Sequence, residues 1–214
     1  MKIFVLVIVI IFAVIFLLIF AFQKGIIWQI FHPQKVLYLT FDDGPQENLT
    51  HKILDILRQE DVKATFFCVG DCARRHPELL QAIRNEGHAI GNHTMHHLKG
   101  WKTPYKAYIA DVEEAGQWLD SRFFRPPYGK ISLRQYLQLK KNYQIIFWTA
   151  ISYDWDRQLS PQQCLHKVEA AARRGGIVVF HDNPKAEKNM LETLPRFIRM
   201  AKDKGMTFKT FEDR

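Results

Sequence analysis

The sequence predicts an α/β fold, in which a parallel sheet of about seven strands forms a small or distorted (β/α) barrel behind one N-terminal transmembrane helix. From residue 36 onward, apolar β-rich runs alternate with segments of helical periodicity, which is typical of a parallel sheet covered by helices. An uncharged apolar run precedes this region, at residues 3–22. Seven strand candidates in about 180 residues are few for an eight-unit barrel, and an open doubly wound sheet is the alternative.

Residues 1–22 are predicted to form a transmembrane anchor. A helix over residues 3–22 would be roughly 30 Å long, which matches the hydrocarbon core of a bilayer. No polar stripe interrupts the run, as it would in a surface helix of a soluble domain. A cleaved signal peptide is the competing interpretation, but it would end in small residues, whereas bulky side chains surround Ala21. A single span of this kind most simply places the following domain outside the cytoplasm.

Residues 23–35 are interpreted as a short connector, and residues 36–214 as one domain. The chain of 214 residues is 47% hydrophobic, which is enough for one well-packed core. The net charge of +8 suits attraction to an anionic polymer or to lipid headgroups, and it is equally compatible with ordinary solubility. The basic residues are scattered without an aromatic-interleaved motif, so no nucleic acid is expected as a partner. No protein partner is evident.

The elements of the domain follow in order along the chain. Strands are predicted at residues 36–41, 64–69, 88–91, 122–125, 144–149, 176–181 and 206–209. Helices are predicted at residues 50–60, 77–86, 105–119, 132–141, 161–174 and 188–204. Thr50 is a candidate N-cap, and Pro77 and Pro161 suit the first turns of their helices. Cys68 lies in an apolar strand and is expected to be a buried free thiol, although its pairing with Cys72 stays open.

Two adjacent carboxylates end the first predicted strand. Asp42 and Asp43 are followed by Gly44 and Pro45, which permit a tight turn. Neighbouring side chains on a strand face opposite ways, so one aspartate can bind a metal ion while the other remains free as a base. A turn-forming Asp-Gly pair is the competing interpretation.

A histidine cluster follows the third predicted strand. His93 and His97 are four residues apart, so on a helical turn they would share one face. Two imidazoles and one carboxylate make a three-ligand site that leaves positions open for water and substrate, which is the pattern of a catalytic metal. By the same spacing His96 points elsewhere, and His88 is interpreted as structural.

Four further polar or aromatic candidates lie near the ends of later strands. Arg125 is suited to a bidentate pair with a carboxylate, and a surface ion pair is the alternative. Asp154 is a candidate partner for Arg125. Trp155 suits either the wall of a small pocket or the core. His181 is distant in sequence from the histidine cluster, and its ordinary pKa suits an acid or base near neutral pH.

Taken together, these clusters resemble the polysaccharide deacetylase family, the carbohydrate esterase group that shares the NodB homology domain. The matching strings occur in the order of the family, and they cover nearly the whole span after residue 36: TFDDGP (40–45), HTMHH (93–97), RPPY (125–128), DW (154–155) and VFH (179–181). Two positions depart from the family pattern. Ile151 stands where the fourth motif often has an aspartate, and Val179 stands where the fifth often has a leucine.

The resemblance implies a distorted parallel (β/α) barrel that hydrolyses acetyl groups on a sugar polymer with the help of a divalent metal. Residue by residue, it implies that Asp43, His93 and His97 hold the metal. The ion is commonly zinc, with cobalt or nickel as alternatives. Asp42 would be the general base.

The resemblance also assigns the remaining candidates. Arg125 would orient the base, and Asp154 would support Arg125. His181 would be the general acid. The backbone amide of Tyr128 would help to stabilise the oxyanion, and Trp155 would help to line the acetyl pocket.

The leading functional prediction is an anchored N-deacetylase of glycans that contain N-acetylglucosamine, with peptidoglycan or chitin-like oligomers as substrates. An O-acetyl esterase acting on acetylated polysaccharide is one alternative, because the same site suits both leaving groups. A catalytically silent glycan-binding protein is another. Every expected ligand and both acid–base candidates are present in the sequence, which argues against the silent protein.

Overall fold

The computed structural model describes residue 14 and residues 35–213. Its strands are β1 (Val36–Asp42), β2 (Thr65–Cys68), β3 (Ala89–Asn92), β4 (Phe123–Phe124), β5 (Gln144–Ile145), β6 (Ala150–Ile151), β7 (Gly176–His181) and β8 (Thr207–Phe208). Its helices are α1 (Thr50–Gln59), α2 (Gly70–Arg75), α3 (Pro77–Asn85), α4 (Tyr105–Leu119), α5 (Leu133–Leu139), α6 (Pro161–Val168), α7 (Ala171–Arg174) and α8 (Glu187–Asp203). Two short 3₁₀ turns cover Gly100–Lys102 and Pro127–Gly129.

All strand pairs of the described region are parallel, as predicted. The strand order is β5-β4-β3-β2-β1-β7-β6, and β8 pairs with the start of β1. Sequential strands on each side of β1 are joined through helices, which is the connection that parallel pairing requires. The sheet curls into a half-barrel with β5 and β6 at its two ends. The predicted (β/α) barrel is therefore present in a half-closed form.

The two faces of β1 carry different side chains. Leu37, Leu39 and Phe41 are buried among the apolar side chains of the surrounding helices. The alternate positions face the inside of the half-barrel, where Thr40 and Asp42 are almost fully buried. A strand with one apolar face and polar groups on the other can seal a core and still carry a polar site at its end.

Two local predictions were wrong, and one helix was missed. The predicted strand at residues 144–149 is strand only at Gln144–Ile145, and β6 begins after it. The carbonyl groups of Ile146 and Phe147 instead accept hydrogen bonds from Arg125. Helix α2 was not predicted. Thr50 is the first residue of α1 and not its cap, and its hydroxyl donates to Asp182 and accepts from the amide of Gln46.

The predicted anchor at residues 1–22 and the connector at residues 23–35 lie outside the described residues, except for residues 14 and 35. Among the helices of the described part, none combines the length and the apolar composition needed to cross a bilayer. Cys68, Cys72 and Cys164 are buried free thiols, which confirms the expectation for Cys68.

Candidate active site

The candidate residues meet at the carboxyl ends of the parallel strands. In the register between β1 and β7, Asp42 lies directly beside His181. Asn92 pairs with Phe124 in the register between β3 and β4, so the loops that begin at His93 and at Arg125 leave the sheet side by side. Ligands of parallel α/β sheets bind at this edge. The register therefore brings together side chains that are more than a hundred residues apart in sequence.

Asp43, His93 and His97 form a group suited to a metal ion. One ligand atom from each of the three residues lies within 4.8 Å of the other two. The Oδ1 atom of Asp43 is 3.1 Å from Nε2 of His97 and 3.6 Å from Nε2 of His93. Burial opposes ionisation of Asp43, but the hydrogen bond from His97 and the charges of nearby histidines hold the pKa of Asp43 well below its usual range.

The chemistry of these donors fits a divalent ion such as zinc. The Nδ1 atom of His93 is 2.7 Å from the backbone carbonyl of Arg125, which is only an acceptor, so Nδ1 carries the proton. The lone pair of Nε2 then faces Asp43. Burial lowers the pKa of His93 to about 4, so this imidazole is neutral at pH 7. Zinc prefers neutral imidazole nitrogens and carboxylate oxygens, with the other ring nitrogen hydrogen-bonded in this way.

The histidine cluster is a loop and not the helical turn that the spacing suggested. The chain leaves β3 at Asn92, and both Thr94 (φ 66°) and His97 (φ 55°) adopt left-handed backbone conformations. The loop is held by Asp111, whose Oδ2 accepts from the amides of Met95 and His96. His93 and His97 are thus brought to one side by loop conformation and not by helical periodicity.

Strained backbone is concentrated around this site. Besides the loop after β3, left-handed conformations occur at Asp43 (φ 79°), Tyr128 (φ 59°) and Tyr153 (φ 57°). Each such residue costs about 1–3 kcal/mol, and residues of this kind cluster at functional sites.

Gly44 is required for a different reason. A Cβ atom at that position would lie 2.1 Å from Oδ2 of Asp182, so only glycine lets the turn approach β7.

Asp42 and Arg125 form a fully buried ion pair. The Nη1 atom of Arg125 donates to Oδ1 of Asp42 at 2.7 Å and to the hydroxyl of Thr40 at 2.8 Å. The guanidinium also lies 4.0 Å from the centre of the Phe67 ring. Oδ2 of Asp42 is left 3.9 Å from Nε2 of His93. One carboxylate oxygen is held by the arginine, and the other is directed toward the histidine cluster.

Asp154 does not support Arg125, and this prediction was wrong. The donors of the guanidinium are directed instead to Asp42, Thr40 and the carbonyls of Ile146 and Phe147. Asp154 binds His181 with both carboxylate oxygens. Oδ1 is 2.8 Å from Nδ1 of the ring, and Oδ2 accepts from the backbone amide of His181 at 2.8 Å. The site therefore contains two separate charge pairs, one for each candidate acid or base.

His181 is in its protonated form near neutral pH. Burial by itself would lower its pKa, but the Asp154 carboxylate, with Asp43 and Asp42 nearby, raises the pKa to about 9. Trp155 packs edge-on against the His181 ring, with centroids 4.4 Å apart. The indole thus restricts the orientation of the imidazole, and it is also in contact with the main core.

Tyr128 lies at the mouth of the site. The residue is 56% exposed, and its ring lies 4.7 Å from the His97 ring, centre to centre. The amides of Gly129 and Lys130 are used within the 3₁₀ turn, where they donate to Pro126 and Pro127. The oxyanion role of the Tyr128 amide stays a prediction.

Several polar residues that the sequence did not single out support the site. Thr40 links Arg125 to the carbonyl of Val178. Asp182 is fully buried, accepts from Thr50, and has its pKa raised to about 7 by burial. Asn183 donates to Asp43 at 2.6 Å. The string His-Asp-Asn directly after an apolar strand was the signal that could have identified the last two.

Comparisons with known proteins identify a family for this chain. The family model for polysaccharide deacetylase matches residues 31–146. A peptidoglycan-N-acetylglucosamine deacetylase of Bacillus cereus is 36% identical over 180 residues, which cover 80% of this chain and 65% of that protein. A chitooligosaccharide deacetylase of Rhizobium leguminosarum bv. trifolii is 32% identical over 155 residues, which cover 68% of this chain and 71% of that protein.

The fold is also similar to that of a solved relative. The crystal structure of the Bc1960 peptidoglycan N-acetylglucosamine deacetylase superposes with a TM-score of 0.76 at 32% sequence identity. The superposition covers 84% of this chain and 87% of that one. The family model spans more than half of the chain, and the sequence and structural relatives carry the same family's activity in their names. This chain belongs to the polysaccharide deacetylase family.

Proposed function

We propose that this chain is a metal-dependent hydrolase that removes N-acetyl groups from polysaccharides containing N-acetylglucosamine, with peptidoglycan or chitin-like oligomers as substrates. The observation that carries the proposal is the arrangement of a carboxylate–imidazole group, Asp43 with His93 and His97, between two charge pairs. Asp42 with Arg125 lies on one side of it. His181, with its own carboxylate partner, approaches from the neighbouring strand.

Asp43, His93 and His97 would hold one divalent ion, most suitably zinc, with cobalt or nickel as substitutes. When bound, such an ion supplies Lewis-acid chemistry, which polarises an acetyl carbonyl and acidifies water. The protein keeps His93 neutral and Asp43 ionised, so both ligands are in the protonation state that metal binding needs.

The proton transfers fall to the two charge pairs. Asp42, which Arg125 orients, accepts the proton of the water that attacks the acetyl carbon. His181, which Asp154 keeps protonated, donates to the amide nitrogen as its bond to the acetyl carbon breaks. Acetate and a free amine are the products. The Tyr128 amide would meet the negative charge on the carbonyl oxygen, and Trp155 would help to form the wall around the acetyl methyl.

The surface beside the site supports a glycan as the substrate. Tyr128 and Trp101 are each 56% exposed. The ammonium of Lys99 lies 4.9 Å from the Tyr128 ring centre, and that of Lys130 lies 4.2 Å from the Trp101 ring centre. Exposed rings suit the apolar faces of sugars, and the lysines and the net charge of +8 suit an anionic polymer such as peptidoglycan.

Acetate release tests the proposal directly. The full-length chain, stripped with a chelator and reloaded with zinc, is assayed on chitooligosaccharides, peptidoglycan and acetylated xylan. Zinc-dependent release from the N-acetylated glycans is the expected result. Release from xylan alone would identify an O-acetyl esterase. Absence of release from all three would favour a silent glycan-binding protein.

Replacing Asp154 by asparagine is expected to move the alkaline limb of the pH–rate profile to lower pH. His181 must be protonated to act as the acid, so activity falls as the pH rises through its pKa of about 9. Loss of the Asp154 charge lowers that pKa toward the ordinary histidine value of about 6.5. The profile of kcat/KM reports the change. Asp156→Asn, whose carboxylate accepts from the Gln158 amide instead, is the control. An unshifted limb in Asp154→Asn would remove His181 from the acid role.

We also propose that residues 1–22 anchor the chain in a membrane, with the connector at residues 23–35 and the catalytic domain at residues 36–214 on the extracytoplasmic side. The support is the uncharged run at residues 3–22, which has the length of a bilayer span. Deleting residues 1–22 is expected to move the chain from the carbonate-washed membrane fraction to the soluble fraction, as followed by immunoblotting. A full-length chain that is already soluble would contradict the anchor.

A further inference from the structure

The two carboxylate oxygens of Asp43 have different partners. Oδ1 faces both imidazoles of the candidate metal site, at 3.1 Å from His97 and 3.6 Å from His93. Oδ2 is turned away and accepts a hydrogen bond of 2.6 Å from Nδ2 of Asn183. Asp43 and Asn183 are 140 residues apart in sequence, so this contact exists only in the folded chain.

The orientation of the Asn183 amide is determined by its other end. Its Oδ1 accepts from the backbone amides of Lys185 at 2.9 Å and Ala186 at 3.2 Å. A flipped amide would place its NH₂ group against these two donors and its oxygen against the Asp43 carboxylate. Both contacts would be repulsive. The NH₂ group is therefore held toward Asp43 by the segment that leads into helix α8.

The turn that leads into α8 does not account for the second contact. The turn uses only Oδ1 of Asn183, and a serine or threonine would supply a similar acceptor. The NH₂ group adds a bond from the start of α8 to the turn after β1. That turn needs support, because Asp43 itself has a left-handed backbone conformation (φ 79°).

We propose that Asn183 is a positioning residue for the metal ligand Asp43. By binding Oδ2, it holds the carboxylate in the orientation that presents Oδ1 to His93 and His97. Asn183 is uncharged and cannot itself repel a cation, unlike a lysine or arginine in the same place. The inference rests on the metal site in the proposed function. Partners of this kind orient metal ligands, and their loss typically weakens metal binding about 10–100-fold.

The decisive variant is Asn183→Ser, because serine keeps an acceptor for the amides of the turn before α8 but is too short to reach Asp43. Zinc affinity of the full-length chain is measured by competition with a chromophoric chelator, and cobalt affinity by titration of its visible absorption. We expect the dissociation constants for both ions to rise about 10–100-fold. The melting temperature of the metal-free chain is expected to stay close to that of the wild type.

Ser160→Ala is the matched control, since Ser160 caps helix α6 by accepting from Gln163. It should lower the melting temperature without changing metal affinity. Unchanged zinc and cobalt affinities in Asn183→Ser would overturn the inference, and so would a wild-type chain that binds neither ion. These readouts need no turnover. If the wild-type chain binds zinc and Asn183→Ser weakens that binding, but no acetate is released, the proposed function is refuted and this inference stands.

Discussion

Replacing Asp42 by asparagine is expected to lower kcat by roughly 10²–10⁴-fold, which is the usual contribution of a general base. The asparagine oxygen can still accept from Arg125, so the buried guanidinium keeps a hydrogen bond. It cannot accept the proton of the attacking water at neutral pH. Zinc content should stay at the wild-type level, because the ligand group consists of other residues.

The measurement combines the rate of acetate release with elemental analysis and a thermal melt on the same preparation. Asp71→Asn is the matched control, since Asp71 is also paired with arginine side chains, Arg74 and Arg75, but on the surface. It should keep full activity. If Asp42→Asn retained most of the wild-type kcat while binding zinc, Asp42 would not be the base.

Replacing His93 by alanine is expected to remove the metal. Loss of the metal removes several kcal/mol of transition-state stabilisation, so kcat should fall on the order of 10²–10⁴-fold. His93 supplies one of the two imidazoles, and its neutral state and its hydrogen bond to the Arg125 carbonyl orient it for that role. Elemental analysis after dialysis should find close to one zinc per wild-type chain and close to none in the variant.

His88→Ala is the matched control for loss of a buried histidine. Burial also lowers the pKa of His88 to about 4, and its Nδ1 accepts from the amide of Ala64. This variant should be destabilised yet keep its zinc. A His93→Ala chain that retained the full zinc content would show that the ion is held elsewhere.

The elements of the fold were predictable because their signals are local. The apolar alternation of β1 and the periodicity of α4 depend on residues within one element, and both were predicted within one residue of their ends. Two of the misses involve a distant residue. The Thr50 hydroxyl donates to Asp182, and the strand predicted after residue 144 ends early where Arg125 donates to the carbonyls of Ile146 and Phe147.

In the candidate site, too, the local signals were readable from the sequence and the arrangement in space was not. The strand-end positions of Asp43, His93 and His97 were readable from sequence, and the structure places the three together. Their predicted arrangement on a helical turn was wrong, because left-handed residues in the loop after β3 replace the helix. The metal-binding roles of these three residues, and the acid–base roles of Asp42 and His181, stay predictions until the variants are measured.

By itself, the sequence determined most of the order of strands and helices, the parallel sheet and the polar clusters at its carboxyl edge. These follow from apolar periodicity and from turn residues, both of which act over a few positions. The family resemblance had already predicted that Arg125 pairs with Asp42, and the structure confirms this pair. Only the tertiary structure decided that Asp154 binds His181 and that Asn183 binds Asp43, at separations of 27 and 140 residues. Such choices depend on the register between strands and on the paths of the loops, which no local pattern encodes.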